Sequence, residues 1–138
     1  MRRALVVAGC LAGGACAHHV QSTPEAPRCV ADVLYFGRNI AGATRPDSGV
    51  VSQGQWREFA DDAFRRWIPS GLTESDAAGR YLVENAWVAE STKVVTIVHP
   101  GAPAVDSGID SVIAMYRRRF KQESVGRVQS QVRSTLCQ

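Results

Sequence analysis

The chain has 138 residues, 45% hydrophobic and 21% charged, a composition that excludes a disordered tail and a multispan membrane protein. Its formal charge of +3 falls to +1 once Arg2 and Arg3 are assigned to a leader, which leaves no field to steer nucleic acid or acidic lipid. After Ala15 no apolar run approaches the ~20 residues that span a bilayer.

The leader comes first. Arg2 and Arg3 precede an uncharged, mostly apolar run from Ala4 to Ala15 that ends on small residues and Cys16. That is the layout of a bacterial export signal. Val7-Ala8-Gly9 before Cys10 reads locally like a lipobox, but it leaves only Ala4 to Gly9 as the apolar segment, shorter than the ~7–15 residues such signals use. Cys16 has a full-length apolar region before it and is the expected lipidation site. Ala15-Cys16-Ala17 is also an Ala-x-Ala-like cleavage site, and ordinary cleavage there would release a free periplasmic protein. The expected organisation is a signal peptide over residues 1–15, a flexible tether over 16–28 containing Pro24 and Pro27, and a single domain over 29–138. His18 and His19 are adjacent in that tether and do not converge on one metal.

Val33 to Arg38 is rich in strand formers and closes on Gly37. Residues 39–50 carry two glycines and Pro46 and read as a loop. Ser52 opens a helix, with Gln55 three residues on as a capping box. Trp56, Phe59, Ala60, Ala63, Phe64 and Trp67 then follow at helical spacing, until Pro69 to Gly71 stops the pattern. Leu72 to Leu82 reads as a long strand with a bulge or bend at residues 76–79, Glu84-Asn85 as a turn, and Trp87 to Val98 as the strongest strand. His99-Pro100-Gly101 ends it. Asp106 or Ser107 caps a second helix with Ile109, Val112, Ile113, Tyr116 and Phe120 on one face. The basic residues Arg117, Arg118, Arg119 and Lys121 read as the solvated side of that helix. A last strand spans about Val125 to Arg133, its inner face Val128, Ser130 and Val132. The order strand, helix, strand, strand, helix, strand is the ferredoxin-like α+β arrangement, a four-stranded antiparallel sheet with both helices on one face.

Cys29 lies just before the first strand and Cys137 just after the last. In this topology those strands are antiparallel neighbours, so the two thiols can meet in a disulfide that an oxidising compartment preserves. Two free thiols or a two-cysteine metal site are the rivals, and the latter lacks nearby ligands. Setting the cysteines opposite each other pairs Leu34 with Val132 and Phe36 with Ser130, which puts the apolar positions of both strands on one face.

No phosphate loop, zinc helix, nucleophile elbow or Cys-x-x-Cys pair is present. His99 is the one histidine of the folded region. Arg38, Glu90 and His99 lie on the first and third strands, adjacent in this topology, and form the candidate binding cluster; a structural ion pair is the alternative. The sheet has the topology of RNA-recognition domains, but Lys93 to Val98 carries no aromatic residue on which a base could stack.

Val33 to Asn39, Val51-Ser52 with Trp56, Gly71-Leu72-Thr73, Glu90 to Pro100, and Tyr116 with Phe120, Gln122, Ser124 and Val125 together resemble the bacterial family catalogued as domain of unknown function 3574. The similarity covers residues 30 to 133. Gly79-Arg80-Tyr81 departs mildly from that family's Gly-x-Trp. The resemblance implies an envelope location and a small α+β domain, and it carries no activity. The expected function is a non-enzymatic envelope lipoprotein that binds a protein or another envelope component, held to the membrane by an N-terminal lipid. No catalytic residue, cofactor, metal or nucleic acid is expected. The alternative is a small-molecule-binding protein or small enzyme that uses the open sheet face of a homodimer, motivated by Val94 and Val98 on one face of the third strand and Val95 and Ile97 on the other.

Overall fold

Ser52 begins the first helix as its neighbours predict. In the computed structural model, which describes residues 28–40 and 49–137, its hydroxyl accepts the Gln55 N–H while the Gln55 side chain accepts the Ser52 N–H. Two orphan donors of the first turn are thereby satisfied. The leader with Cys10, and residues 16–27 of the expected tether with Cys16, His18 and His19, lie outside the described residues, while Arg28 opens the first strand. Helix α1 (Gln53–Trp67) buries Trp56, Phe59, Ala63 and Phe64. Trp67, expected on that stripe, is 36% exposed beneath the Arg66 guanidinium. The helix ends there, and buried Ile68 takes the next core position.

Helix α2 (Pro103–Phe120) starts earlier than Asp106 or Ser107 would place it. Pro103 occupies the first turn, where its missing N–H costs nothing, and Ala102 is the cap without a side-chain bond. Asp106 lies in that turn as well, and its carboxylate bonds Arg127. Gly108 admits α1 closely, since a Cβ there would stand 2.8 Å from the Trp67 carbonyl oxygen.

The strands are β1 (Arg28–Gly37), β2 (Thr73–Val83), β3 (Ala86–His99) and β4 (Gly126–Arg133), all antiparallel in the order β2-β3-β1-β4. This is the ferredoxin-like arrangement. Leu34, Phe36, Val95 and Ile97 form one core with both helices, centred on Phe36, whose ring centroid is 4.9 Å from Tyr116 and 5.2 Å from Trp56. No helix among the described residues is long and apolar enough to cross a membrane.

Two expectations need correction. β2 carries no bulge: it pairs with β3 without interruption from Thr73 opposite Thr96 to Val83 opposite Ala86. The hairpin is closed by Glu84 and Asn85, both at positive φ (45° and 69°), the geometry of a tight two-residue turn. The register of β4 also differs. Leu34 faces Arg127 and Cys29 faces Val132, where the sequence argument set Leu34 against Val132. The shift is five residues, an odd number, so it exchanges the faces of β4. Arg127 and Gln129 point toward the helices and Val128 points away.

The disulfide is nonetheless formed. Cys29 and Cys137 are bonded with their Cα atoms 6.0 Å apart. β4 ends at Arg133, and a turn in which the Leu136 N–H donates to Ser134 Oγ brings Cys137 back, so the cysteines meet without being opposed in the ladder. The bond closes a separation of 108 residues. In the chain-entropy account such a loop contributes up to ~4–5 kcal/mol. Because ~1 kcal/mol moves the midpoint of a domain this size by a few degrees, reduction is expected to lower the melting temperature by at least several degrees. An unchanged midpoint on calorimetry after complete reduction would contradict a bond that restrains the unfolded chain.

Candidate functional site

Asp32 has the same parity along β1 as Leu34 and Phe36, so it points toward the helices and is fully buried. A carboxylate in that position requires donors. Arg127 Nε donates to its Oδ1 at 2.7 Å, His99 Nε2 lies 2.8 Å from its Oδ2, and Gln129 Nε2 is 3.4 Å from each oxygen. The remaining Arg127 nitrogens donate to Asp106 at 2.5 Å and Asp110 at 3.0 Å, both on α2. The Gly101 N–H donates to His99 Nδ1 at 3.1 Å, which leaves Nε2 to carry the proton that Asp32 accepts. Burial pushes the Asp32 carboxyl up, but the hydrogen bonds from Arg127, His99 and Gln129 outweigh it, and the net shift is below the usual carboxylate value. The bond to Asp32 raises Arg127 in turn, against its own burial.

Asp32, His99 and Asp106 place three donor atoms within 4.8 Å of one another, a set a divalent cation could use. Arg127 already bonds both carboxylates and supplies the positive charge between them. Nor does a substrate have easy access, since the Asp32 and His99 side chains are closed to solvent. The cluster therefore ties β1, β3, β4 and α2 together.

Among the described residues no helix covers the opposite face of the sheet. At the C-terminal end of β1 it holds a groove of about 700 Å³. Glu90 on β3 lies in it, directly over Gly37: a Cβ on Gly37 would stand 2.5 Å from a Glu90 carboxylate oxygen. Only glycine lets the carboxylate lie there. The Asn39 N–H donates to Glu90 Oε1 at 3.2 Å and fixes it. Half-exposed Tyr35 and Tyr81 line the groove, with Gly79 and Gly126 on the flanking strands. From the core side the Tyr116 hydroxyl donates to the Gly37 carbonyl at 2.8 Å. Burial above all, with Glu90 adding and Arg38 opposing, raises the Tyr116 phenol above its ordinary value, so it stays protonated as a donor.

The candidates Arg38, Glu90 and His99 are divided by this geometry. Arg38 and Glu90 share the groove end of β1, where both act on Tyr116 and Arg38 Nε donates to the Val51 carbonyl at 2.6 Å. His99 pairs with Val30 at the other end, ~23 Å away at ~3.3 Å per residue. Antiparallel neighbours have their C-terminal ends at opposite edges, so His99 cannot join Arg38. Sequence reasoning missed Asp32, Asp106, Arg127 and Gln129. The available signal was a charged residue spaced two and four positions before Leu34 and Phe36, on the inward parity of the central strand.

A family model described as protein of unknown function (DUF3574) matches residues 31–136. No curated protein matches the chain. Among solved structures, a phage SAM lyase in complex with S-methyl-5'-thioadenosine is similar at 14% identity, covering 83% of this chain and 96% of that one with a TM-score of 0.55. CutA from Synechococcus elongatus is similar at 8% identity over 85% of this chain and 88% of that one, with a TM-score of 0.51. CutA1 from Oryza sativa follows at 7% identity over 79% and 84%, with a TM-score of 0.50. At such identities the likeness concerns the fold alone.

The Asp32 network sets an acid dependence. Its folded pKa lies below the usual 3.8, so the stability it confers is present above that value and is lost as pH falls through the folded one. Urea unfolding across the acid range is expected to show a steeper loss for the wild type than for Asp32→Asn. At neutral pH the variant should be less stable by about 3–5 kcal/mol, the cost of stranding buried partners. Equal acid sensitivity of the two proteins would contradict the assignment.

Proposed function

The chain belongs to the family of proteins of unknown function DUF3574, and on that premise we propose that it is a non-enzymatic binding protein of the bacterial envelope whose ligand occupies the groove on the open sheet face. The leader ending at Cys16 supports export and a lipid anchor, with residues 16–28 as the tether. The Cys29–Cys137 bond accords with an oxidising compartment.

One observation carries the ligand reading: the Glu90 carboxylate lies over Gly37, held by the Asn39 N–H, in a groove with two half-exposed tyrosines. A fixed carboxylate selects a ligand that brings a positive charge or hydrogen-bond donors, and tyrosine rings offer apolar area to its body. The groups best suited to acid–base work, Asp32 and His99, are engaged with each other on the opposite side of the sheet. That favours binding over catalysis. The second reading, a homodimer that encloses a small-molecule site or small enzyme centre on this face, is favoured by Val128, which is exposed there beside Val33.

A thermal-shift screen of small amines, guanidines and polyols against the purified protein tests the groove. Compounds that bind are expected to raise the midpoint by a few degrees at concentrations far above their dissociation constant, and Glu90→Gln should abolish the shift. Stabilisation that persists undiminished in Glu90→Gln, or is confined to anionic compounds, would overturn the reading. For the envelope part, radioactive palmitate is expected to label the wild type and not Cys16→Ser. Label in neither would remove the lipid anchor.

A further inference from the structure

β2 and β3 run on after the rest of the sheet has stopped. β1 ends at Gly37 opposite Thr92, yet β3 extends back to Ala86, paired throughout with β2. Six residues of each strand, Ala78–Val83 and Ala86–Ser91, thus form a two-stranded arm ~20 Å long at ~3.4 Å per residue. Among the described residues no strand pairs with the arm's second edge. Near its tip Leu82 faces Trp87 across the ladder, and they are 56% and 71% exposed. Tyr81 faces Val88 on the other side and is half-exposed. A lone two-stranded ribbon is marginally stable in water, and exposed tryptophan and tyrosine are the residues that dominate protein interfaces.

We propose that this arm is a self-association element that clasps a second copy of the chain about a two-fold axis. Charge identifies the partner. The turn at the tip carries Glu84, whereas the root of the arm adjoins the end of α2, where exposed Arg117, Arg118 and Lys121 outnumber the exposed Glu123. That end is held to the root: Gln122 Nε2 donates to the Asn39 carbonyl at 2.7 Å, and Asn39 Nδ2 donates to the Ala89 carbonyl at 3.1 Å. Two arms laid antiparallel bring each acidic tip to the other copy's basic root. A two-fold axis requires such self-complementarity, in which one patch meets itself reversed. Laid together by the faces that carry Leu82 and Trp87, the arms, ~20 Å long and ~10 Å wide, cover ~200 Å² of each other. Each tip adds its contact with the α2 end at the other copy's root, an extent that suits a weak, reversible dimer and leaves the groove face open. An acidic tip is repelled by anionic lipid, which argues against a membrane surface as occupant. The inference stands on the arm and is independent of the ligand reading.

Sedimentation velocity of the purified mature chain across a hundredfold range of micromolar concentrations is the test, run at low and high salt. The expected result is a two-copy mass, weakened at least tenfold by the paired substitutions Leu82→Ser and Trp87→Ser. Because both side chains are exposed in the single chain, circular dichroism should be unchanged. Glu84→Arg should weaken association severalfold at low salt, and Glu84→Arg with Arg118→Glu should recover part of it. A monomer at every concentration would overturn the proposal, as would a dimer indifferent to Leu82, Trp87 and Glu84. Co-sedimentation of the monomer with phosphatidylglycerol vesicles, lost in Trp87→Ser, would assign the arm to a membrane instead. Amine binding lost in Glu90→Gln is scored separately, so the failure of either reading leaves the other standing.

Discussion

The buried Asp32 carboxylate is the constraint around which the sheet is assembled. It lies in the middle of the central strand on the side that faces both helices, and a charge there is tolerated only when several donors converge on it. β3 supplies His99 and β4 supplies Arg127 and Gln129. The guanidinium in turn needs more anions than Asp32, and α2 presents Asp106 and Asp110 within its first turns. One carboxylate thus relates three strands and a helix. Buried ion pairs contribute little over a well-packed apolar core, and their best-attested use is to fix register. That use fits β4, whose remaining side chains are too polar and too exposed to fix its own register.

That choice of register has a consequence on the other side of the sheet. With Arg127 and Gln129 turned inward, Val128 is turned outward to join Val33 on the face without helices. The apolar character of the open face follows from the charge on the closed face. At the far end of β1 the two sides meet again. Tyr116 stands in a cluster of rings with Phe36, Phe59 and Phe120 and donates its hydroxyl through to the Gly37 carbonyl, beneath the glycine over which Glu90 lies. Aromatic contacts of this kind add ~0.5–1.5 kcal/mol each beyond area burial, and the groove's floor rests on this ring cluster.

Local chemistry made much of the fold legible in the sequence. The Ser52–Gln55 capping box, the Glu84-Asn85 turn and the apolar run of β3 each specify their own conformation and survive in the structure. The family match over residues 31–136 agrees with the resemblance read from those same segments. Long-range choices were less legible. The expected β4 register sets Cys29 opposite Cys137 and agrees with hydrophobic alternation; it fails because Cys137 returns through a turn beyond β4 and because Asp32, placed outside the strand by a start at Val33, outweighs two valines. Gly79 suggested a bulge, but its place is opposite Glu90, where a small residue leaves the groove open. Arg38 and Glu90 were singled out and do share one end; His99 was grouped with them by strand adjacency without regard to strand direction.

A double-mutant cycle on Asp32 and Arg127 tests the account most directly. Urea unfolding of the wild type, Asp32→Asn, Arg127→Gln and the double variant at neutral pH gives their coupling, free of what each change does alone. A charge-assisted bond that holds the register should give a coupling of about 1.5–3 kcal/mol. The coupling should vanish once the pH falls below the folded pKa of Asp32, where the carboxylate is protonated in both native and unfolded chains. Additive losses, with a coupling inside ~0.5 kcal/mol at neutral pH, would contradict the claim that this one carboxylate sets the sheet.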